Sequence, residues 1–331
     1  MTPGTLSMAV LAAGTSLLTS AAVAAPAERA PLNVVASFTV LADIARNVGG
    51  DDVVVESLVG PDSDSHVFEP SPSHAQSVAN ADLVVINGLG YEGWMGRLID
   101  ASGFDGPVVM ASADAELIET GGADHHGHDD HGHDDHEEDD HGHDHEGDTG
   151  GDYNPHVWQS VSGGQSYART IADALADADP DNAEAYRDRL AAYDSELAAL
   201  DREIDDLLGS LPEEQRTVIV PHASFDYFSR EYGITFLSPS GLTTEAEPTA
   251  AQMAGLVDLI HAEGVAAILA ENVSSPRMVE LLAEEAGLAV GGTLYSDALS
   301  GPDGPAPSYI DMLRHNASVL HDAVDQGVHS E

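Results

Sequence analysis

Short runs of Val, Ile and Leu recur along this chain, and helical patterns separate them. That alternation restricts the fold to βαβ units around parallel sheets. Leu32 to Ala36 is the first strand candidate, followed by a helix from about Val40 to Val48. Val53 to Val59, Leu83 to Asn87 and Val108 to Ala111 continue the series. A second series comprises Thr217 to Val220, Ile234 to Leu237, Ala266 to Glu271 and Ala289 to Thr293, with helical patterns at Ala250 to Glu263 and Arg277 to Ala286. An α/β protein of two lobes follows, and 331 residues is the right length for two domains of ordinary size.

Between the two series, Tyr186, Leu190, Tyr193, Leu197, Leu200, Ile204 and Leu207 recur at steps of four and three, one apolar stripe on one helix face. Asp181 with Glu184 offers an N-terminal cap, and Gly209 and Pro212 a stop. A helix from Asn182 to Leu208 would be about 40 Å long and would act as a stiff spine rather than a hinge. The same pattern also suits an ordinary amphipathic surface helix.

The expected organisation is an export signal at 1–24, a first α/β lobe at 25–180, the spine at 181–210 and a second lobe at 211–331. Leu6 to Ala24 is uncharged and rich in apolar and small residues, and Ala22-Val23-Ala24 is a small-x-small cleavage site. The chain has no cysteine, hence no disulfide, no thiolate metal site and no cysteine for a lipid anchor. A soluble periplasmic location is the expectation.

Eleven basic and 58 acidic residues give a net charge of −47, and every basic residue is arginine. Nucleic acid and anionic membranes are excluded as partners by repulsion, whereas cations are favoured. Residues 122–150 hold nine histidines and twelve acids with almost nothing apolar, so this stretch is expected to be a disordered loop inserted in the first lobe. Its composition suits several weakly held metal ions.

Eight histidines lie outside that loop. His74, His261, His315, His321 and His329 have polar, helical surroundings and read as surface residues. His66 in DSDSHVFEPSPS and His222 in VIVPHASFDYFSREYG follow strand candidates, and His156 in GDYNPHVWQS follows the loop in a turn-forming Asn-Pro context. Open α/β sheets bind ligands beyond the carboxyl ends of their strands. A lone histidine there is usually a packing or capping residue, but three together point to one shared metal. A zinc hydrolase would further need an open coordination position and a base. Glu69 is the nearest candidate base, yet no second histidine completes a metalloprotease motif, and no G-x-S-x-G or P-loop is present.

DSDSHVFEPSPS, NPHVWQS, PHASFDYFSREYGI and TLYSDALS resemble, in order, the ligand segments of the metal-binding solute proteins of zinc and manganese ABC importers. The resemblance covers essentially the whole mature chain. It implies two α/β lobes with parallel sheets joined by one long rigid helix, and a metal in the cleft between them. It further implies the ligands His66, His156, His222 and Asp297, with an ABC permease and its ATPase as partners. Manganese members of this group typically have glutamate where this chain has His222, and three imidazoles with one carboxylate suit tetrahedral Zn²⁺. A non-enzymatic zinc carrier, monomeric and with a periplasmic metallochaperone as a possible partner, is therefore expected. A manganese carrier and an extracellular storage or adhesin protein are the alternatives. Glu271, in ILAENVSSP, either orients a ligand imidazole or caps a helix.

A lysine-free acidic surface is suited to high salt, where screening removes self-repulsion. The thermal unfolding midpoint is expected to rise as NaCl is added, and a midpoint that stays level or falls would contradict this.

Overall fold

The computed structural model describes residues 30–120, 153–244 and 249–328. The segment read as an export signal and the His/Asp-rich stretch 122–150 lie outside the described residues. The first lobe runs β1 (Leu32–Ala36), α1 (Thr39–Gly49), β2 (Val53–Ser57), α2 (Pro72–Ala79), β3 (Leu83–Ile86), α3 (Met95–Ser102), β4 (Val108–Met110) and α4 (Val161–Ala178). After α5 (Ala183–Gly209) come β5 (Thr217–Ile219), α6 (Asp226–Tyr232), β6 (Thr235–Leu237), α7 (Ala250–Glu263), β7 (Ala267–Glu271), α8 (Pro276–Ala286), β8 (Val290–Leu294) and α9 (Tyr309–Val328).

The strands form two four-stranded sheets, ordered β2-β1-β3-β4 and β6-β5-β7-β8, and every pairing is parallel. The two lobes therefore share one topology. Val34 pairs with both Val55 and Leu83 in the first sheet, and Val218 with Phe236 and Ala267 in the second. The central strands are covered on both faces, which explains their unbroken apolar runs. The register of β8 against β7 shifts by one residue at Gly291-Gly292. Gly292 has φ +150, and a Cβ there would lie 2.7 Å from Val319 Cγ1, so α9 packs directly on the bulge.

The long helix α5 spans 27 residues and buries Tyr186, Tyr193, Leu197, Leu200, Ile204 and Leu208. The stripe thus ends on Leu208 rather than Leu207, which is only partly buried. The expected cap at Asp181 is displaced: Pro180–Asn182 form a 3-10 turn, and Asn182 is the N-cap residue. Near its start, Arg189 donates to Gly49 O at 2.7 Å and pairs with Asp52. Near its end, Asp201 accepts from Tyr232 Oη at 2.9 Å and Glu203 pairs with Arg314 at 3.0 Å. One helix is therefore fastened to both lobes.

A single apolar cluster runs through both lobes. It includes Val34, Val84 and Trp158 from the first, Leu197 and Leu200 from α5, and Val218, Leu269 and Leu294 from the second. A smaller cluster lies beneath α7 and α8, around Ile219, Leu256, Ile260 and Leu282. A shared close-packed core resists relative rotation of the lobes, because turning one would open voids against the other. No helix among the described residues is long and apolar enough to cross a membrane.

Candidate metal centre

His66, His156, His222 and Asp297 come together between the lobes. One ligand atom from each lies within 4.8 Å of every other. Each residue sits beyond the carboxyl end of a strand: His66 after β2, His156 after β4, His222 after β5 and Asp297 after β8. Asp297 Oδ2 is 3.3 Å from both His66 Nε2 and His222 Nε2, and Oδ1 is 3.7 Å from His156 Nε2. The imidazole centroids form a near-equilateral triangle with sides of 5.6, 5.9 and 5.3 Å.

All four side chains are buried, yet the three Nε2 atoms and both Asp297 oxygens lack hydrogen-bond partners. Buried polar atoms are rarely left so, and five converging on one point form a cradle for a cation. Zinc–ligand bonds of 2.0–2.2 Å place tetrahedral ligand atoms about 3.3 Å apart, close to the His–Asp separations observed.

The remaining polar atoms fix the orientation of the rings. Glu271, at the end of β7, accepts from the His222 backbone N at 3.2 Å and lies 2.6 Å from His222 Nδ1. Between the two roles open from sequence, orientation of a candidate ligand is the one the geometry gives Glu271. Asn154 Oδ1 accepts from the His156 backbone N and stands 2.9 Å from His156 Nδ1. Both contacts favour a proton on Nδ1 and leave Nε2 free to bind metal. Asp64 accepts from the His66 backbone N at 2.8 Å. Both first-lobe histidines are thus seated by an Asx side chain two residues earlier, in Asp-Ser-His and Asn-Pro-His.

Aromatic rings wall the site. Tyr91 lies edge-on to His66 and His156, and Trp158 lies 5.1 Å from His156, with Phe38 behind both. Tyr91 is carried by the loop Gly88-Leu89-Gly90, whose three residues all have positive φ. Buried Glu92 gathers that loop by accepting from Ser37 Oγ and from the backbone N of Asn87 and Gly88. On the other side, Trp158 Nε1 and Gln159 Nε2 both donate to Ser296 O, fixing the residue before Asp297 from across the cleft.

Burial opposes charge throughout the site. At Asp297 burial is outweighed by His222, then by His66 and His156, which hold the carboxyl well below the usual carboxylate range. Burial likewise opposes a charged His222, but Glu271 and Asp297 prevail and hold its imidazolium well above the ordinary histidine range. His156 has no such pair, and burial pushes it well below that range.

Residues outside the centre also differ from expectation. His74 is half-buried and accepts from Ser71 N through Nδ1, completing the cap of α2. His315 packs on Tyr295 with Nε2 3.0 Å from Thr293 O, and His321 is also partly buried. The His261 side chain and His329 lie outside the described residues. Glu69 is exposed.

Residues 34–323 match the ZnuA family, described as the periplasmic component A of a zinc-uptake complex. The chain belongs to this family. Among relatives, the manganese-binding lipoprotein MntA of Halalkalibacterium halodurans is 29% identical over 297 residues, covering 89% of each chain. The iron-binding protein YfeA of Yersinia pestis is 29% identical over 313 residues, covering 94% of this chain and 93% of its own. The periplasmic zinc-binding protein TroA of Treponema pallidum superposes with a TM-score of 0.77 at 25% identity, over 89% of this chain and 99% of that one. The family consists of substrate-binding components of metal ABC transporters, not enzymes, and its partners are a permease and an ATPase. The hydrolase alternative is thereby set aside.

The signs of the shifts fix the pH behaviour. The raised His222 pKa stabilises the metal-free fold below the ordinary histidine value, a gain lost as pH rises through the folded value. The depressed Asp297 pKa stabilises it above the ordinary carboxylate value, a gain lost as pH falls through the folded value. Metal must displace the His222 proton, so affinity should climb about tenfold per pH unit below that folded value and level off above it. Calorimetric titration in buffers of different ionisation heat should find about one proton released per ion near pH 6. Affinity and proton count that do not vary with pH would contradict a charged His222.

Proposed function

We propose that this chain is the zinc-capturing component of an ABC importer, with His66, His156, His222 and Asp297 as the ligands of one tightly held Zn²⁺ that passes to the permease. The observation that carries this reading is the convergence of three unpartnered imidazole nitrogens on one buried carboxylate. Three borderline nitrogen donors and one carboxylate, with two of the His–Asp separations near the tetrahedral value, match zinc's preference for four ligands. Manganese favours harder oxygen donors and higher coordination. Four protein ligands leave no position for an activated water, as suits a carrier.

Manganese is the second reading, favoured by the similarity to MntA. Against it stands His222, a nitrogen where the manganese members that the ligand segments resemble typically have an oxygen donor, and its ring is committed to the site by Glu271.

We further propose that the mature protein begins near Ala25, acts as a monomer in the periplasm and lacks a lipid anchor, which the absence of cysteine supports. The His/Asp-rich stretch 122–150 would hold further ions weakly and raise their local concentration. The bridge between Glu119 and Tyr153 brings the flanks of that stretch together close to His156. Docking on the permease would release the ion by distorting the site, and a metallochaperone would be one route of loading.

Competitive titration of Zn²⁺ against Mn²⁺ tests the reading, with residues 122–150 deleted to remove weak sites. One tight Zn²⁺ per chain is expected, with preference over Mn²⁺. His222→Ala should weaken it by at least about 100-fold, since a ligand is lost rather than merely misoriented. His222→Glu should narrow the preference for zinc. Absence of a tight ion, or preference for Mn²⁺, would refute the proposal.

A further inference from the structure

The four residues of the centre are not equally enclosed. His66 is 8% exposed, whereas His156, His222 and Asp297 are 0–1% exposed. That exposure is mostly backbone, since the His66 side chain is only 2% exposed and its Nε2 is covered; the chain that carries His66 is thus the part of the centre nearest solvent. His66 lies on the chain between β2 and α2, and several bonds to the second lobe hold that chain. Asp62 N donates to Leu299 O at 3.0 Å, and Asn272 Nδ2 donates to Asp62 Oδ1 at 3.1 Å. These anchor it on the Asp297 side. Toward the other edge, Thr244, in the chain after β6, donates its hydroxyl hydrogen to Asp64 Oδ2 at 2.5 Å.

Asp64 has two simultaneous roles. Oδ1 receives the His66 backbone N–H, while Oδ2 receives the Thr244 hydroxyl. One carboxylate thus ties the most exposed candidate ligand's backbone to the opposite lobe. Both partners are neutral, and no cationic side chain among the described residues pairs with Asp64. A hydroxyl–carboxylate bond at a half-exposed position can exchange with water, so it can open without unfolding. By contrast, the shared core makes opening by rotation of whole lobes expensive.

We infer that Asp64 and Thr244 form a latch across the mouth of the metal site, and that its opening sets the rate at which the ion enters and leaves. The inference rests on the proposed function. Asp64 is a positioning residue here: it acts through the His66 backbone and the lobe edge and need not touch the metal.

The test is chelator-driven release of Zn²⁺ from the loaded full chain, followed by stopped flow alongside uptake. Thr244→Val keeps the shape and removes the hydrogen bond. It should speed both release and uptake on the order of tenfold, so that Kd moves far less than either rate. Thr244→Ser should restore the slow rates. The absorption bands of bound Co²⁺ should keep their tetrahedral intensity in both variants, because no ligand is altered. Unchanged rates in Thr244→Val would overturn the latch. So would faster release with unchanged uptake and an equal loss of affinity, which would indicate a weakened site rather than an opened one. Failure of the unsubstituted chain to hold Zn²⁺ tightly would remove the functional reading, and the latch with it.

Discussion

The structure depends on the burial of one carboxylate. Asp297 is fully enclosed between the lobes, where an isolated negative charge would be very unfavourable. Three imidazoles face it, and His222, whose pKa Glu271 and Asp297 raise against burial, does most to hold it ionised. Its position belongs to neither lobe alone. Trp158 and Gln159 reach from the first lobe to the carbonyl of Ser296, while Asn316 holds Tyr295 from within the second. Removing the carboxylate would leave Glu271 as the one counter-charge beside His222 and take away the group around which the three rings are arranged.

The scaffold follows from that requirement. Two sheets of identical strand order direct their carboxyl ends toward a common cleft. Alpha/beta sheets bind ligands there because strands end, chains turn and side chains project free of the ladder. The continuous core and α5, pinned at both ends, keep the two halves of the centre in register. Such a frame suits a carrier that must hold an ion tightly and exchange it through local rather than global opening. The family's members are named for different metals, so the frame itself does not select the ion. On the proposed function, selection rests on which donors line the cleft, and His222 is the proposed donor that weights this one toward nitrogen.

Much of this was legible in the amino-acid order. Apolar-rich runs of four to seven residues located every strand within one or two positions, most clearly the central parallel strands, which are covered on both faces. The 3-4 spacing revealed α5, but Leu208 replaced Leu207 at its end, since a 3.6-residue period drifts over 27 residues. The three histidines stood out because they follow strands. Asp297 did not: a lone acid after a strand has no local signature, and only the family resemblance singled it out. Glu271 was ambiguous for the same reason, its partner being 49 residues away. Asn154 and Asp64 were missed although a signal existed, an Asx two residues before each of His66 and His156. Tyr91 carried no signal, because the rings it faces, His66 and His156, come from distant parts of the chain.

X-ray absorption at the zinc edge of the loaded protein, with residues 122–150 removed, addresses the central claim most directly. The spectrum should show four-coordinate zinc with three imidazole nitrogens and one carboxylate oxygen at about 2.0–2.1 Å. The imidazole scattering pattern should diminish by one ring in His222→Ala. A six-coordinate, oxygen-dominated shell, or a spectrum unchanged in that variant, would place the ion elsewhere and contradict the account.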